Sequence, residues 1–301
     1  MHVCGQERKV IQRMESGIVF DGMPDEASWE SVEPFPLISH LPVFGNPPSE
    51  KSIVKMGYDD QYVYVGALLY VSNPEYVRAI GKKRDMNSMT CDWFGVCLDT
   101  YNDNENALLF FTNPLGLRWD ASVKNDAMPT MDQMPMNMDW NTFLEVKTQY
   151  DEKGWYLEMK IPISSLRFQE LDGITVMGLS FFRWIPAKDE GDVFPAISTE
   201  WGPTSNLKPS LFEEVEFHGL HPKKPLHISP YVLTAFEQEH ELNAHETAYD
   251  YSQKYKVEPG LDVKYGINSN TVLDLTVNTD FAQVEADDQQ FNLSRFSLFF
   301  K

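Results

Sequence analysis

Apolar runs come in pairs along the first two thirds of the chain. Residues 52–71, 93–113 and 143–162 each contain two runs rich in valine, leucine and aromatic residues, separated by a short acidic or glycine-containing stretch. Paired runs around a polar turn are typical of β-hairpins. A further apolar run follows at residues 175–186. Strands at this spacing predict a β-sandwich.

Patterns that indicate helices are scarce in this sequence. Residues 18–35 combine an apolar run at 18–20, an Asp-Gly turn and a Pro-Asp-Glu sequence that is typical of a helix start. We therefore expect a strand at 18–20, then one short helix, with Trp29 facing the interior. The fold class predicted for the whole chain is all-β.

Apolar and polar residues alternate in the last quarter of the chain. Odd positions in residues 256–267 are apolar, tyrosine or proline, whereas even positions are charged or glycine. The alternation resumes over 271–278, and residues 226–236 have the same character. Amphipathic strands of about ten residues with polar turns match a transmembrane β-barrel. A sheet with one face in water alternates in the same way, so both interpretations stay open.

A proline-flanked junction separates the two patterns. It reads HPKKP and occupies residues 221–225. Short proline-containing polar segments are common at domain boundaries. We therefore predict an N-terminal tail over 1–16, a β-sandwich over 17–222, and amphipathic β-hairpins of a second domain over 226–301.

The net charge restricts the class of partner. The chain has 25 Lys and Arg against 45 Asp and Glu, which gives a formal net charge of -20. This charge repels phosphate backbones, so we do not expect a nucleic-acid partner. Three cysteines, at positions 4, 91 and 97, do not make an even disulfide framework.

Four stretches of the first two thirds resemble a known family. They read DGMPDEASW, DWFGVCLDTYNDNENALLFFTNPLG, GWYLEMKIPISSLRF and FFRWIP. Together they make the region from residue 18 to about residue 220 similar to the carbohydrate-binding family 9-like modules. The resemblance implies a β-sandwich that binds a carbohydrate without catalysing a reaction.

The last quarter carries a second resemblance. The stretch GLDVKYGINSNTVLDLTVNTDFAQVEADDQQFNLSRFSLFF looks like the opening of an uncharacterised outer-membrane β-barrel family of Gram-negative bacteria. In that family the final motif continues into several hundred more barrel residues. The resemblance implies that the barrel is truncated at Lys301, that the missing part attaches the protein to the outer membrane, and that it resides in the cell envelope, in the periplasm or outer membrane.

A sugar site needs flat aromatic faces for the apolar side of a pyranose and planar polar groups for its hydroxyls. Tryptophans in irregular stretches and the polar residues beside them are the candidates, together with one strand tryptophan whose position resembles an aromatic of the family. Core packing is the alternative for every tryptophan. The predicted sugar-binding residues are Trp93, Asn113, Arg118, Trp119, Trp140, Arg183 and Trp201.

Oxygen-bearing side chains cluster in one predicted turn. Asp99, Asn102, Asp103 and Glu105 lie within seven positions of one another. Such ligands suit calcium, and the modules that residues 18–220 resemble include calcium-binding members. The spacing is not that of an EF-hand, so a solvated acidic turn is the alternative to a calcium site.

These observations predict a non-catalytic carbohydrate-binding sandwich attached to an outer-membrane barrel protein. One alternative is a structural or plug domain of the barrel without a sugar ligand. Another is a part of a glycoside hydrolase, which needs two carboxylates about 5 to 9 Å apart across a cleft. No spacing in the chain indicates that pair, and nucleophile-elbow, phosphate-loop and zinc-protease motifs are missing from the sequence.

Overall fold

The computed structural model of the protein describes residues 8–14, 18–86, 88–129, 135–202, 204–223, 226–242, 249–268 and 271–278. The chain divides into two compact units, Met1–Lys223 and Lys224–Lys301. The described part contains no helix with the length and hydropathy that crossing a membrane requires.

Strands dominate the first unit. They are β1 (Lys9–Val10), β2 (Gln12–Arg13), β3 (Ile38–Leu41), β4 (Ser52–Tyr58), β5 (Tyr62–Tyr70), β6 (Trp93–Asp99), β7 (Ala107–Thr112), β8 (Trp119–Val123), β9 (Met136–Asn137), β10 (Glu145–Asp151), β11 (Gly154–Pro162), β12 (Ile174–Ile185), β13 (Glu190–Phe194) and β14 (Glu213–His218). One short α-helix, α1, spans Ala27–Glu30. Short 3-10 helices span Pro74–Tyr76, Asn125–Ala127, Ile163–Ser165, Thr199–Trp201, Ser205–Leu207 and Pro209–Leu211.

These strands form two sheets. The larger sheet has the order β1-β14-β12-β6-β7-β8-β9, and β13 and β3 extend it beside β12. The smaller sheet has the order β10-β11-β5-β4-β2. Strands β1 and β2 pair in parallel with β14 and β4, whereas the hairpins are antiparallel.

The main hydrophobic core lies between the two sheets. Val65 and Leu157 of the smaller sheet and Phe94 and Phe181 of the larger sheet belong to it. The two phenylalanine rings stack with centroids 6.1 Å apart. Two sheets that enclose one apolar layer make a β-sandwich, which confirms the predicted fold class.

The three predicted hairpins are present as β4-β5, β6-β7 and β10-β11. In the third, Asp151 pairs with Gly154, so the two residues between them form the turn. Gly154 has a φ of +155°, and an added Cβ would lie 2.2 Å from the carbonyl oxygen of Leu69. Any side chain at position 154 would therefore clash with the neighbouring strand.

The start of the first unit differs from the prediction in two places. Residues 18–20 do not form a strand; the amide of Val19 donates to the Glu26 carboxylate at 2.9 Å, and the amides of Asp21 and Gly22 donate to the Glu158 carboxylate at 2.9 and 3.0 Å. Residues 9–13, predicted as tail, give one strand to each sheet. Trp29 is 1% exposed, as predicted.

The second unit contains a three-stranded antiparallel sheet. Its strands are β15 (Leu226–Leu242), β16 (Tyr249–Asn268) and β17 (Thr271–Val277), in that order across the sheet. The register places Ile228 opposite Val263, and Val263 opposite Leu275. Apolar side chains therefore share one face, on which Ile228 and Leu275 are exposed.

Candidate functional site

The larger sheet of the first unit buries apolar side chains on its outer face as well. Cys97, Leu109 and Ala121, from three neighbouring strands, belong to a second apolar cluster. Ala127 and Leu207, from the connections between strands, complete this cluster. Every residue of β6 is buried. A strand of a sheet with one wet face would alternate between buried and exposed residues, so this part of the sheet is covered on both sides.

Aromatic side chains form a row across this outer face. The register pairs Phe182 of β12 with Gly95 of β6, Gly95 with Phe111 of β7, and Phe111 with Trp119 of β8. Residues at the same register position place their side chains on the same face. A Cβ on Gly95 would lie 2.4 Å from the Phe111 ring. The missing side chain thus lets Phe111 extend over β6.

Two more aromatic residues lie beside this row. Trp93 pairs with Trp184 across β6 and β12. The indole nitrogen of Trp93 donates to the carbonyl oxygen of Ser88 at 2.7 Å, and that of Trp184 donates to Met89 at 2.8 Å. One loop therefore fixes both rings and engages their polar atoms, and the rings are 6% and 8% exposed.

The five aromatic residues line an open cavity of about 300 Å³. The rest of its described lining is His40, Leu41, Met89, Met136, Thr204, Asn206 and Leu207. None of these residues is Asp, Glu, Lys or Arg. An aromatic surface with a few polar neutral groups suits a neutral ligand that has one apolar face and several hydroxyl groups.

Two of the four predicted tryptophans belong to this cavity. Trp93 and Trp119 line it. Trp140 is half-buried and packs on the main core, with its ring edge-on to Phe110 at 5.8 Å. Trp201 is 64% exposed and does not belong to the described lining.

The side chain of Asn113, a predicted sugar-binding residue, makes its hydrogen bonds to backbone groups of the protein. Asn113 is buried, and its side-chain amide donates to the carbonyl oxygen of Gly81 at 2.9 Å. Its side-chain oxygen accepts from the amides of Leu115 and Leu117 at 3.0 and 3.2 Å. Asn113 therefore holds the Asn-Pro turn together and does not line the cavity.

The two predicted arginines also lie outside the cavity lining. Arg118 is exposed. Arg183 is buried and donates to the Ser52 hydroxyl at 2.9 Å and to the Tyr70 carbonyl oxygen at 2.7 Å. Arg183 thus connects the larger sheet to the smaller one, a structural role that the FFRW motif alone did not reveal.

Buried carboxyl groups accompany Arg183. Asp92 and Asp192 are both 0% exposed. Burial raises the pKa of Asp92 to about 6 and that of Asp192 to about 7, against the opposing effect of the Arg183 charge. The pKa of Arg183 is lowered, mainly by its own burial. Removing charges from water accounts for all three directions.

The predicted calcium loop is held by its own backbone. The Asp99 carboxylate accepts from the amides of Asp103 and Asn104 at 3.2 and 2.8 Å, and Asn102 donates to Glu214 at 3.1 Å. The Asp103 carboxylate in turn accepts from the amides of residues 105 and 106. Within the described residues, no group of three or more His, Cys, Asp or Glu is placed to hold a metal ion. Calcium binding by Asp99, Asn102, Asp103 and Glu105 stays a prediction.

The sequence analysis missed three of the aromatic residues. Phe182 and Trp184 flank Arg183 in the FFRW motif, and Phe111 precedes the Asn-Pro turn. Their spacing of two places Phe182 and Trp184 on the same face of β12. This spacing can be read from the sequence. It indicates a site on the outer face only if that face of the sheet is also covered by other residues.

One family model matches the C-terminal part of the chain. The model of a family described as a domain of unknown function (DUF5916) matches residues 222–301. No curated protein matches the chain.

Three of the solved structures that match cover 70 to 71% of the chain. A carbohydrate binding module of family 9 from Caldicellulosiruptor kristjanssonii in complex with cellotriose is 18% identical over 71% of this chain and 95% of that chain, with a TM-score of 0.45. The module from the same organism in complex with glucose is 20% identical over 71% and 98% of the two chains, with a TM-score of 0.46. A Bacteroides uniformis protein for which carbohydrate binding is proposed is 12% identical over 70% of this chain and 100% of that chain, with a TM-score of 0.51. The last similarity shows a shared fold.

Proposed function

We propose that the first unit is a non-catalytic carbohydrate-binding module whose ligand lies in the aromatic cavity of the outer face. The observation that carries this proposal is the row from Phe182 through Phe111 to Trp119, which the register of four strands places at the cavity. The faces of such rings bury the apolar C–H surface of a pyranose.

The polar part of the lining supports the same ligand class. His40, Thr204 and Asn206 lie in the cavity wall and carry hydrogen-bonding groups without a fixed negative charge. Hydrogen bonds from such groups orient a ligand, while the aromatic surface supplies most of the buried area. A glycoside hydrolase would need a facing pair of carboxylates, and the described lining contains none.

Calorimetric titration of the full chain tests the proposal. Cellotriose and glucose are suitable first probes, followed by a glycan array for other sugars. Trp119→Ala removes one stacking ring, and we expect it to weaken binding about tenfold or more. Trp201→Ala is the matched control, since its exposed ring lies outside the described lining, and it should leave the affinity unchanged.

Two results would overturn the carbohydrate proposal. One is a parent chain that binds no sugar in the titration or on the array. The other is sugar binding that survives Trp119→Ala and disappears with Trp201→Ala. Circular dichroism of each variant establishes that the comparison is between folded proteins.

We also propose that the second unit contains the first strands of an outer-membrane barrel, which attaches the sugar-binding unit to the cell envelope. The alternating exposed apolar residues support this role, since Ile228, Val232 and Leu275 lie on one face of the sheet. An antibody against the chain, applied to fractionated Gram-negative cells that carry its gene, should detect it in the outer membrane. Detection in the cytosol would contradict the proposal.

A further inference from the structure

His40 occupies an irregular position in the larger sheet. Ser39 pairs with Asp192 and Leu41 pairs with Gly191, so the register leaves His40 without an opposite residue. An extra residue of this kind is a β-bulge, which redirects a side chain and is frequent beside binding sites. The imidazole of His40 is 3% exposed and contributes to the wall of the aromatic cavity.

The hydrogen bond of His40 fixes its tautomer. Its Nδ1 atom lies 2.8 Å from the carbonyl oxygen of Ile197. A carbonyl oxygen only accepts, so the proton must be on Nδ1. Burial lowers the pKa of His40, which favours the neutral ring. In a neutral ring with its proton on Nδ1, the Nε2 atom carries a lone pair and is an acceptor.

This acceptor is the second ring nitrogen of a residue that lines the cavity. Among the described residues, Nε2 of His40 has no hydrogen-bond partner. The ring lies edge-on to Phe182, with centroids 6.5 Å apart and planes at 86°. Phe182 begins the aromatic row, so the acceptor is adjacent to the surface on which the sugar ring would stack.

The other polar groups of the wall differ in their availability. The Thr204 hydroxyl donates to the carbonyl oxygen of Ala127 at 3.1 Å. Asn206 is half-buried, on the 3-10 helix Ser205–Leu207. A cationic side chain is missing from the described lining. A carboxylate in the cavity would therefore meet the lone pair of Nε2 without a compensating charge.

We infer that His40 is a specificity-determining residue of the cavity, whose unprotonated Nε2 accepts a hydrogen bond from a hydroxyl group of a neutral sugar and disfavours acidic sugars. This inference rests on the proposed carbohydrate binding and adds to it the ligand class and the residue that selects it. A hydroxyl group can donate to Nε2, whereas the ionised carboxylate of a uronic acid has no proton to donate.

Nitrogen NMR of the histidine-labelled full chain tests the tautomer directly. We expect His40 to show a protonated Nδ1 and an unprotonated Nε2 at neutral pH, and cellotriose to shift the Nε2 resonance toward that of a hydrogen-bonded acceptor. A proton on Nε2 in the free protein would overturn the inference. So would an Nε2 resonance that does not move when cellotriose saturates the protein.

Two substitutions test the contribution to affinity. His40→Gln retains an acceptor near the position of Nε2, whereas His40→Phe retains a ring and loses the acceptor. We expect His40→Phe to bind cellotriose about tenfold more weakly than His40→Gln, the loss of one hydrogen bond. Equal affinities of His40→Phe and the parent would overturn the inference. If either variant fails to fold, the NMR experiment on the parent decides.

Binding of a neutral and an acidic sugar tests the proposed ligand class. The parent should bind glucose at least about tenfold more tightly than glucuronate, because the acid leaves a charge unpaired in the cavity. Equal binding of both would overturn the selectivity. A parent that binds cellotriose with an unmoved Nε2 refutes the role of His40 alone, whereas a parent that binds no sugar refutes the proposed function and this inference with it.

Discussion

Both units place apolar residues on the face of a sheet, and they cover that face differently. In the first unit, Leu109 on the outer face of the larger sheet is 0% exposed, because the connections between strands pack over it. In the second unit, Leu275 on the apolar face of its sheet is 56% exposed. Alternation determines which residues share a face, and the rest of the chain or its surroundings determines what covers that face.

The layer of residues over the outer face of the larger sheet has a gap, and this gap is the aromatic cavity. Leu109 and Ala121 are fully enclosed, whereas the aromatic row two residues further along the strands borders an opening of about 300 Å³. The proposed binding site and an apolar layer thus occupy the same face. In the first unit the gap is the size of a small ligand, whereas the apolar side chains of the second unit are exposed along the described strands.

The largest expected effect on stability comes from replacing Arg183, a buried charged residue of the first unit. Arg183→Leu removes hydrogen bonds to the smaller sheet and leaves Asp92 and Asp192 without their cation. We expect the free energy of unfolding to fall by about 3 to 5 kcal/mol. Urea unfolding followed by tryptophan fluorescence measures it, because all seven tryptophans precede residue 224.

The exposed Arg118 is the control for this substitution. Arg118→Leu should change the free energy of unfolding by less than about 0.5 kcal/mol. A loss of similar size in both variants would show that Arg183 has no special role between the sheets.

A matched pair of leucines tests the comparison itself. Leu109→Ala creates a cavity in the covered layer and should destabilise the first unit by about 3 to 5 kcal/mol. Leu275→Ala removes an exposed side chain and should cost the second unit less than about 0.5 kcal/mol. Tryptophan fluorescence follows the first unit, and far-ultraviolet circular dichroism includes the second. A large cost for Leu275→Ala would mean that its face is covered in solution.

The pH dependence of the free energy of unfolding tests the buried carboxyl group of Asp192. The pKa of Asp192 is about 7 in the folded protein, above the value of about 3.9 for an unfolded aspartate. Between these values the folded state binds more protons, so the Asp192 contribution to stability is present at low pH and is lost as the pH rises toward 7. Relative to Asp192→Asn, the parent should lose on the order of 4 kcal/mol between about pH 4 and about pH 8.

Urea titrations of both proteins across this range measure the difference. Asp189→Asn, which removes an exposed carboxylate next to the same strand, is the control and should run parallel to the parent. A constant difference between the parent and Asp192→Asn at every pH would contradict the raised pKa.

Local patterns were sufficient to predict the three hairpins and the alternating strands of the last quarter. The turn of Asp151 and Gly154 and the alternation of residues 256–267 each depend on neighbouring residues alone, and both appear in the structure as predicted hairpins or strands. The strand predicted at 18–20 did not form: the Val19 amide donates to the Glu26 carboxylate, and the adjacent backbone donates to the buried carboxylate of Glu158, which is far away in sequence.

The cavity depends on contacts that no local pattern contains. Trp93 and Trp119 were predicted as sugar-binding candidates, and the structure places both in the lining. Trp201 and Arg183 were predicted on the same grounds, yet one lies outside the lining and the other lies between the sheets. His40 had no sequence signal, because its role depends on a bulge and on the carbonyl group of a distant residue.

A crystal structure of the full chain grown with cellotriose tests the proposed sugar site most directly. We expect a sugar ring stacked on the row that contains Phe111 and Trp119, with a hydroxyl group within hydrogen-bonding distance of Nε2 of His40. Cellotriose bound at Trp201, with an empty aromatic cavity, would contradict it.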